Sequence, residues 1–202
     1  MGANALVARC LCTRHNSELS PLDQAARDLW DKLAAYDQLS NIRRDYDATL
    51  ARRGRPKMRW SPHILRVNGY TVERWCLKVL CNVLASNSIE KLADWDPPAE
   101  LVRRVFGQEP FPARCGLAVL ARVGDHLSNE EHIGFGGIRT DGSVEPFGCT
   151  IDFRSLRLAA TWARPVEECV PPEERGGKLG VPLYHFKVMQ SPETGVELRF
   201  NW

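Results

Sequence analysis

GLAVLARVGDHLSNEEHIGFGGIRTDGSVEPFGCTIDFRSLRLAATWA, residues 116–163, is the stretch that decides the fold class. It reads as four short strands: Gly116 to Val123, His132 to Arg139, Val144 to Phe153 and Leu156 to Ala163. Asp141-Gly142 is suited to a tight hairpin turn between the second and third. Beyond them, Leu183 to Met189 and Val196 to Trp202 read the same way, with Glu193-Thr194-Gly195 as a second turn. Strands this closely spaced, with no helix between them, predict an antiparallel sheet. The Pro- and Gly-rich span Arg164 to Gly180 is the longest loop.

Upstream the pattern is helical. Ser20-Pro21-Leu22-Asp23 combines an N-cap hydroxyl, a proline suited to the first helical position and an acid facing the positive end of the helix dipole. Leu22, Ala26, Leu29, Trp30, Leu33 and Tyr36 follow at helical spacing. A second helix is expected from Asn41, with Ile42, Tyr46 and Leu50 on one side and Gly54 and Pro56 at its end. An extended run, His63 to Val67, and an Asn68-Gly69 turn lead to the clearest helix. Thr71 is its expected cap, and Val72, Trp75, Cys76, Val79, Leu80, Val83 and Leu84 form an unbroken apolar series. Asp96-Pro97-Pro98 introduces a short helix carrying Leu101, Val102, Val105 and Phe106. The expectation is an α+β protein in which a mainly helical part, 1–111, packs on an antiparallel sheet, 112–202, as one compact unit.

A chain of 202 residues is long enough for a substantial core, and 44% hydrophobic with 26% charged residues is ordinary for a soluble globular protein. No apolar run approaches the ~20 residues of a membrane span. The opening MGANALVARC lacks the build of a secretory signal, so a cytoplasmic location without a membrane partner is expected. In that compartment seven cysteines point to buried thiols or metal rather than disulfides. The net charge of +2 conceals an asymmetry. Residues 40–78 hold ten Lys or Arg against three Asp or Glu, or +7, while the remainder holds 17 against 22, or −5. Such a basic segment suits phosphate or an acidic partner, and equally a solvated face balanced elsewhere in the fold.

Cys10, Cys12 and His15 are the candidate metal ligands, because Cys12-x-x-His15 has the spacing that lets a knuckle turn reach one zinc ion. A structural zinc site needs four ligands, and this stretch supplies three. ARCLCTRHNSELSPLD resembles the second half of a treble-clef HNH nuclease motif, in which a closing ligand pair is followed by an asparagine and a helix. The resemblance implies Cys12 and His15 as that pair and Asn16 as the asparagine. The upstream ligand pair and the histidine that serves as general base have no counterpart in residues 1–9, which contain no Cys, His, Asp or Glu. Asp125-His126 and Glu130-Glu131-His132 place three carboxylates and two imidazoles within eight residues, enough for a divalent metal or simply an acidic loop.

Arg53-Gly54-Arg55-Pro56 resembles the core of an AT-hook, whose arginines lie along the minor groove. The plain alternative is a basic helix end with a Gly-x-Pro stop. Trp60 is the one tryptophan placed to stack on a base beside the basic segment. There is no phosphate-loop lysine motif, nucleophile elbow or H-E-x-x-H. The expectation is a non-catalytic nucleic-acid-associated protein of HNH-like descent, binding DNA or RNA phosphate through Arg43, Arg44, Arg52, Arg53, Arg55, Lys57 and Arg59. The alternatives are an interaction module of the kind a mobile element encodes, meeting an acidic protein or nucleoprotein surface, and an atypical metal-dependent nuclease built on residues 126–132.

Overall fold

The computed structural model describes residues 13–85, 96–122, 133–138, 146–154, 156–169 and 183–202. Among the described residues four helices and eight strands follow the order α1 (Thr13–Arg52), β1 (His63–Asn68), α2 (Gly69–Ala85), α3 (Ala99–Val105), β2 (Gly116–Arg122), β3 (Ile133–Ile138), β4 (Gly148–Phe153), β5 (Leu156–Thr161), α4 (Val166–Cys169), β6 (Leu183–Tyr184), β7 (Val188–Ser191) and β8 (Val196–Asn201). The fold is α+β. No helix among the described residues is long and apolar enough to cross a membrane.

Helix α1 corrects two sequence expectations. It is one helix of 40 residues rather than two, and it begins before Ser20, so Pro21 lies inside it. An interior proline costs on the order of 3 kcal/mol. Burial of Leu19, which extends the Leu22, Ala26, Leu29, Leu33, Tyr36 stripe upstream, offsets that cost, and the Arg14–Glu18 pair at 2.9 Å adds to the first turns. The second half turns a different face inward than Ile42, Tyr46 and Leu50 predict. Ile42 and Tyr46 are 56% and 48% exposed. The inward series runs Tyr36, Ser40, Arg43, Asp47, Leu50, and its central polar groups hide it from a search for apolar periodicity.

Helix α2 is buried nearly all round. Its contacts extend to α1, α3, both sheets and the main hydrophobic core. Asn68, not Thr71, caps it: Asn68 Oδ1 accepts from the Thr71 N–H at 3.2 Å, and Thr71 Oγ1 donates to the Asn68 carbonyl at 3.0 Å. Its two buried charged groups are both partnered. Lys78 Nζ reaches Asp23 Oδ2 at 2.5 Å, and Glu73 is held by groups described below.

The strands form two sheets rather than one. A five-stranded antiparallel sheet has the order β3-β4-β5-β2-β6, and a three-stranded sheet has the order β1-β8-β7. Within the second, β7 and β8 form the expected hairpin, whose turn closes through the Gly195 N–H on the Ser191 carbonyl at 2.8 Å, with Gly195 at φ +66°. Strand β1 lies parallel to β8, with His63 opposite Val196 and Asn68 opposite Asn201, so the smaller sheet is mixed. The single strand expected over Leu183 to Met189 is divided. Its first part pairs with β2 and its second with β8. His185, at φ +44°, turns the chain from one sheet to the other. The expected Asp141-Gly142 turn lies outside the described residues.

Candidate functional site

The basic segment occupies the end of the β1–β8 pair where His63 faces Val196. Helix α1 stops at Gly54, φ +65°, with the Gly54 N–H donating to the Ala51 carbonyl at 3.0 Å and the Arg55 N–H to the Leu50 carbonyl at 2.9 Å. These are the paired bonds of a glycine C-cap, so Arg53-Gly54-Arg55-Pro56 is a helix stop. The chain then returns along α1. Buried Asp47 anchors the return, Oδ1 accepting from the Met58 N–H at 3.0 Å and Oδ2 from Trp60 Nε1 at 3.2 Å. Arg43 donates to the Ser61 and Thr194 carbonyls at 3.1 and 2.6 Å and lies 5.0 Å over the Trp60 ring. Tyr46 meets the same ring edge-on at 5.7 Å.

These contacts sort the seven basic candidates. Arg43 is a clamp between α1, the return segment and the β7–β8 turn, and Arg44 Nη1 reaches Asn41 Oδ1 at 3.4 Å. Half-buried Trp60 carries Arg43 over its ring and Tyr46 at its edge. Arg52, Arg53, Arg55, Lys57 and Arg59 are all exposed, and among the described residues no ion pair includes any of them. Exposed Ile42, Tyr46 and Met58 flank them.

Of the metal candidates, His15 lies in the first turn of α1, exposed, with its ring edge-on to Phe106 at 5.6 Å. Cys10 and Cys12 lie outside the described residues, as do His126, Glu130, Glu131 and His132. Among the described residues no three His, Cys, Asp or Glu side chains gather to hold a metal. Cys76 and Cys149 are core thiols: burial raises both far above the ordinary thiol range, which suppresses the reactive thiolate.

A second polar site lies at the opposite end of the β1–β8 pair, and no local sequence signal marks it. Glu73 of α2 is 1% exposed, and its Oε2 accepts from the Leu117 N–H at 2.7 Å. The same oxygen lies 3.0 Å from His185 Nε2. With the carboxylate ionised, which only accepts, and the imidazole neutral, Nε2 carries the hydrogen and Nδ1 a lone pair. Burial pushes the Glu73 carboxyl up, opposed by the Leu117 N–H and by His185. The approach requires a glycine at position 116, where φ is +114° and a Cβ would stand 2.2 Å from Glu73 Oε2. His185 is sandwiched between Tyr184 and Trp202, both ring centroids 3.9 Å away and nearly parallel. Tyr70, 52% exposed, meets His185 and Trp202 edge-on at 6.2 and 5.7 Å. Burial, with Glu73 nearby, raises the Tyr184 phenol to about 12.

The imidazole is thus fixed on one nitrogen, clamped on both faces and 27% exposed. Glu73, Gly116, His185 and Trp202 come from four separate elements, so only the fold brings them together. The chain matches no protein-family model, no curated protein and no solved structure.

Proposed function

We propose that the protein associates with nucleic acid, binding phosphate through the end of α1 and the segment that returns beside it. The observation that supports this most is the surplus of five exposed cations, Arg52 to Arg59, without an acidic partner among the described residues. One or two basic groups are favourable at a helix C-terminus through the dipole. Five exceed that need, and folding leaves their charge available to a polyanion. The Asp47 and Arg43 contacts hold the return segment in place, so the cations sit on a constrained surface.

The test is fluorescence anisotropy with a labelled oligonucleotide across a salt series. Five phosphate contacts give a slope of log affinity against log salt near −4.5 on duplex and about −3.5 on a single strand. Arg53→Glu with Lys57→Glu should weaken binding at least tenfold at low salt. Absence of binding at low salt overturns the reading. A second reading, an acidic protein or nucleoprotein partner, draws on exposed Ile42, Tyr46 and Met58, whose mixture with arginine is typical of protein interfaces. It predicts that Tyr46→Ala disrupts binding to that partner, whereas phosphate-dominated binding is nearly indifferent to it.

A further inference from the structure

The geometry points to Glu73 and His185 as a proton-transfer site for RNA, in which His185 Nδ1 removes the proton of a ribose 2′-hydroxyl and the protein cleaves the strand. This deepens the nucleic-acid reading and rests on it for capture of a long strand. Glu73 is the positioning residue. At 1% exposure it cannot touch a ligand, but it holds the Nε2–H at 3.0 Å and so directs the free lone pair to the other ring nitrogen. Nδ1 has no partner among the described residues, and the side chain is 27% exposed.

Three further features distinguish this pair from an ordinary structural contact. The His185 backbone is in the left-handed region at φ +44°, a conformation non-glycine residues adopt at some cost and which gathers at functional sites. The main chain gives up a side chain at Gly116 to admit the carboxylate. Tyr70 offers an exposed ring beside the imidazole, suited to stacking a base. From His63 to Asn68, β1 spans five residue steps, about 16 Å, between the basic end and this site. A single strand of a few nucleotides bridges that distance.

The 2′-hydroxyl sets the substrate class, since it supplies a nucleophile within the strand and DNA lacks it. In the step, His185 Nδ1 takes the hydroxyl proton as O2′ bonds to the adjacent phosphorus. The phosphorus–O5′ bond breaks, and the imidazolium returns the proton to O5′. The products are a 2′,3′-cyclic phosphate and a 5′-hydroxyl, with no other reactant consumed.

The test incubates the full protein with a labelled RNA 12-mer, its all-deoxy counterpart and a ribodinucleotide at millimolar concentration, all in EDTA, while anisotropy follows binding. Expected are cyclic-phosphate products from RNA only and at least a hundredfold loss in His185→Ala with binding changed less than twofold. Glu73→Gln should move the acid limb of the pH–rate profile, which a purely structural role would leave in place. Circular dichroism checks that each variant folds. RNA that is bound but uncleaved overturns this inference alone. RNA unbound while the dinucleotide is cleaved overturns the basic-surface reading alone, and cleavage equal in His185→Ala excludes His185 as the base. Loss of both activities overturns both.

Discussion

The two ends of the β1–β8 pair differ in how they treat charge. At the His63–Val196 end, cations accumulate in water, and buried Asp47 and half-buried Arg43 fasten one stretch of backbone to another. At the Asn68–Asn201 end, a carboxylate is taken out of water and given two donors. Exposed charge contributes little to stability and is open to a partner. A buried carboxylate costs several kcal/mol unless its partners hold, so that end depends on every contact around it.

The sharpest way to break the comparison is Gly116→Ala. A methyl at 2.2 Å from Glu73 Oε2, on a backbone with φ +114°, forces the carboxylate from its donors. The expected loss is about 3 kcal/mol in urea unfolding, from strain together with overpacking. Next is the pH dependence at the same end. The folded Glu73 carboxyl lies above its ordinary value of 4.5, so its contribution is present below that pH and is lost as pH rises through the folded value. The stability difference between wild type and Glu73→Gln should therefore shift against wild type as pH rises from 4.5, read from paired urea midpoints. At the other end, Asp47→Ala releases the Met58 N–H and Trp60 Nε1 and should cost about 1 kcal/mol. A red shift in tryptophan emission would accompany it. Charge reversal at Arg53 and Lys57 should move stability by less than about 0.5 kcal/mol while removing binding. A stability loss as large as that of Gly116→Ala would erase the contrast between the ends.

The sequence exposed one of these ends far better than the other. Arg52 to Arg59 are neighbours along the chain, so a count of charges finds them before any fold is known. Five of the six strand runs and the apolar series of α2 were legible because period and length carry the signal, while Leu183 to Met189 divides between two sheets. The second half of α1 was read on the wrong face. Its inward positions, Ser40 and Asp47, are polar, and their partners at Thr194, Met58 and Trp60 come from elsewhere in the chain. Pro21 stood as a start signal because Leu19 burial, a tertiary effect, cannot be seen from local capping rules. His185 lies in the expected strand Leu183 to Met189, where it could serve as a base only if the fold brought it to a partner. Its role depends on a left-handed turn between two sheets and on a glutamate 112 positions away.

The parallel neighbour of β1 also has a consequence for the newborn chain. Val67 pairs with Phe200, 133 residues further on. At roughly 5–20 residues per second, β1 is synthesised on the order of ten seconds before its partner exists. During that interval Asp47 can already hold the return segment at Met58 and Trp60. The Arg43 contact with the Thr194 carbonyl at one end, and the stack of Tyr184, His185 and Trp202 beside the first turn of α2 at the other, both wait for the C-terminal strands, so the two ends close together.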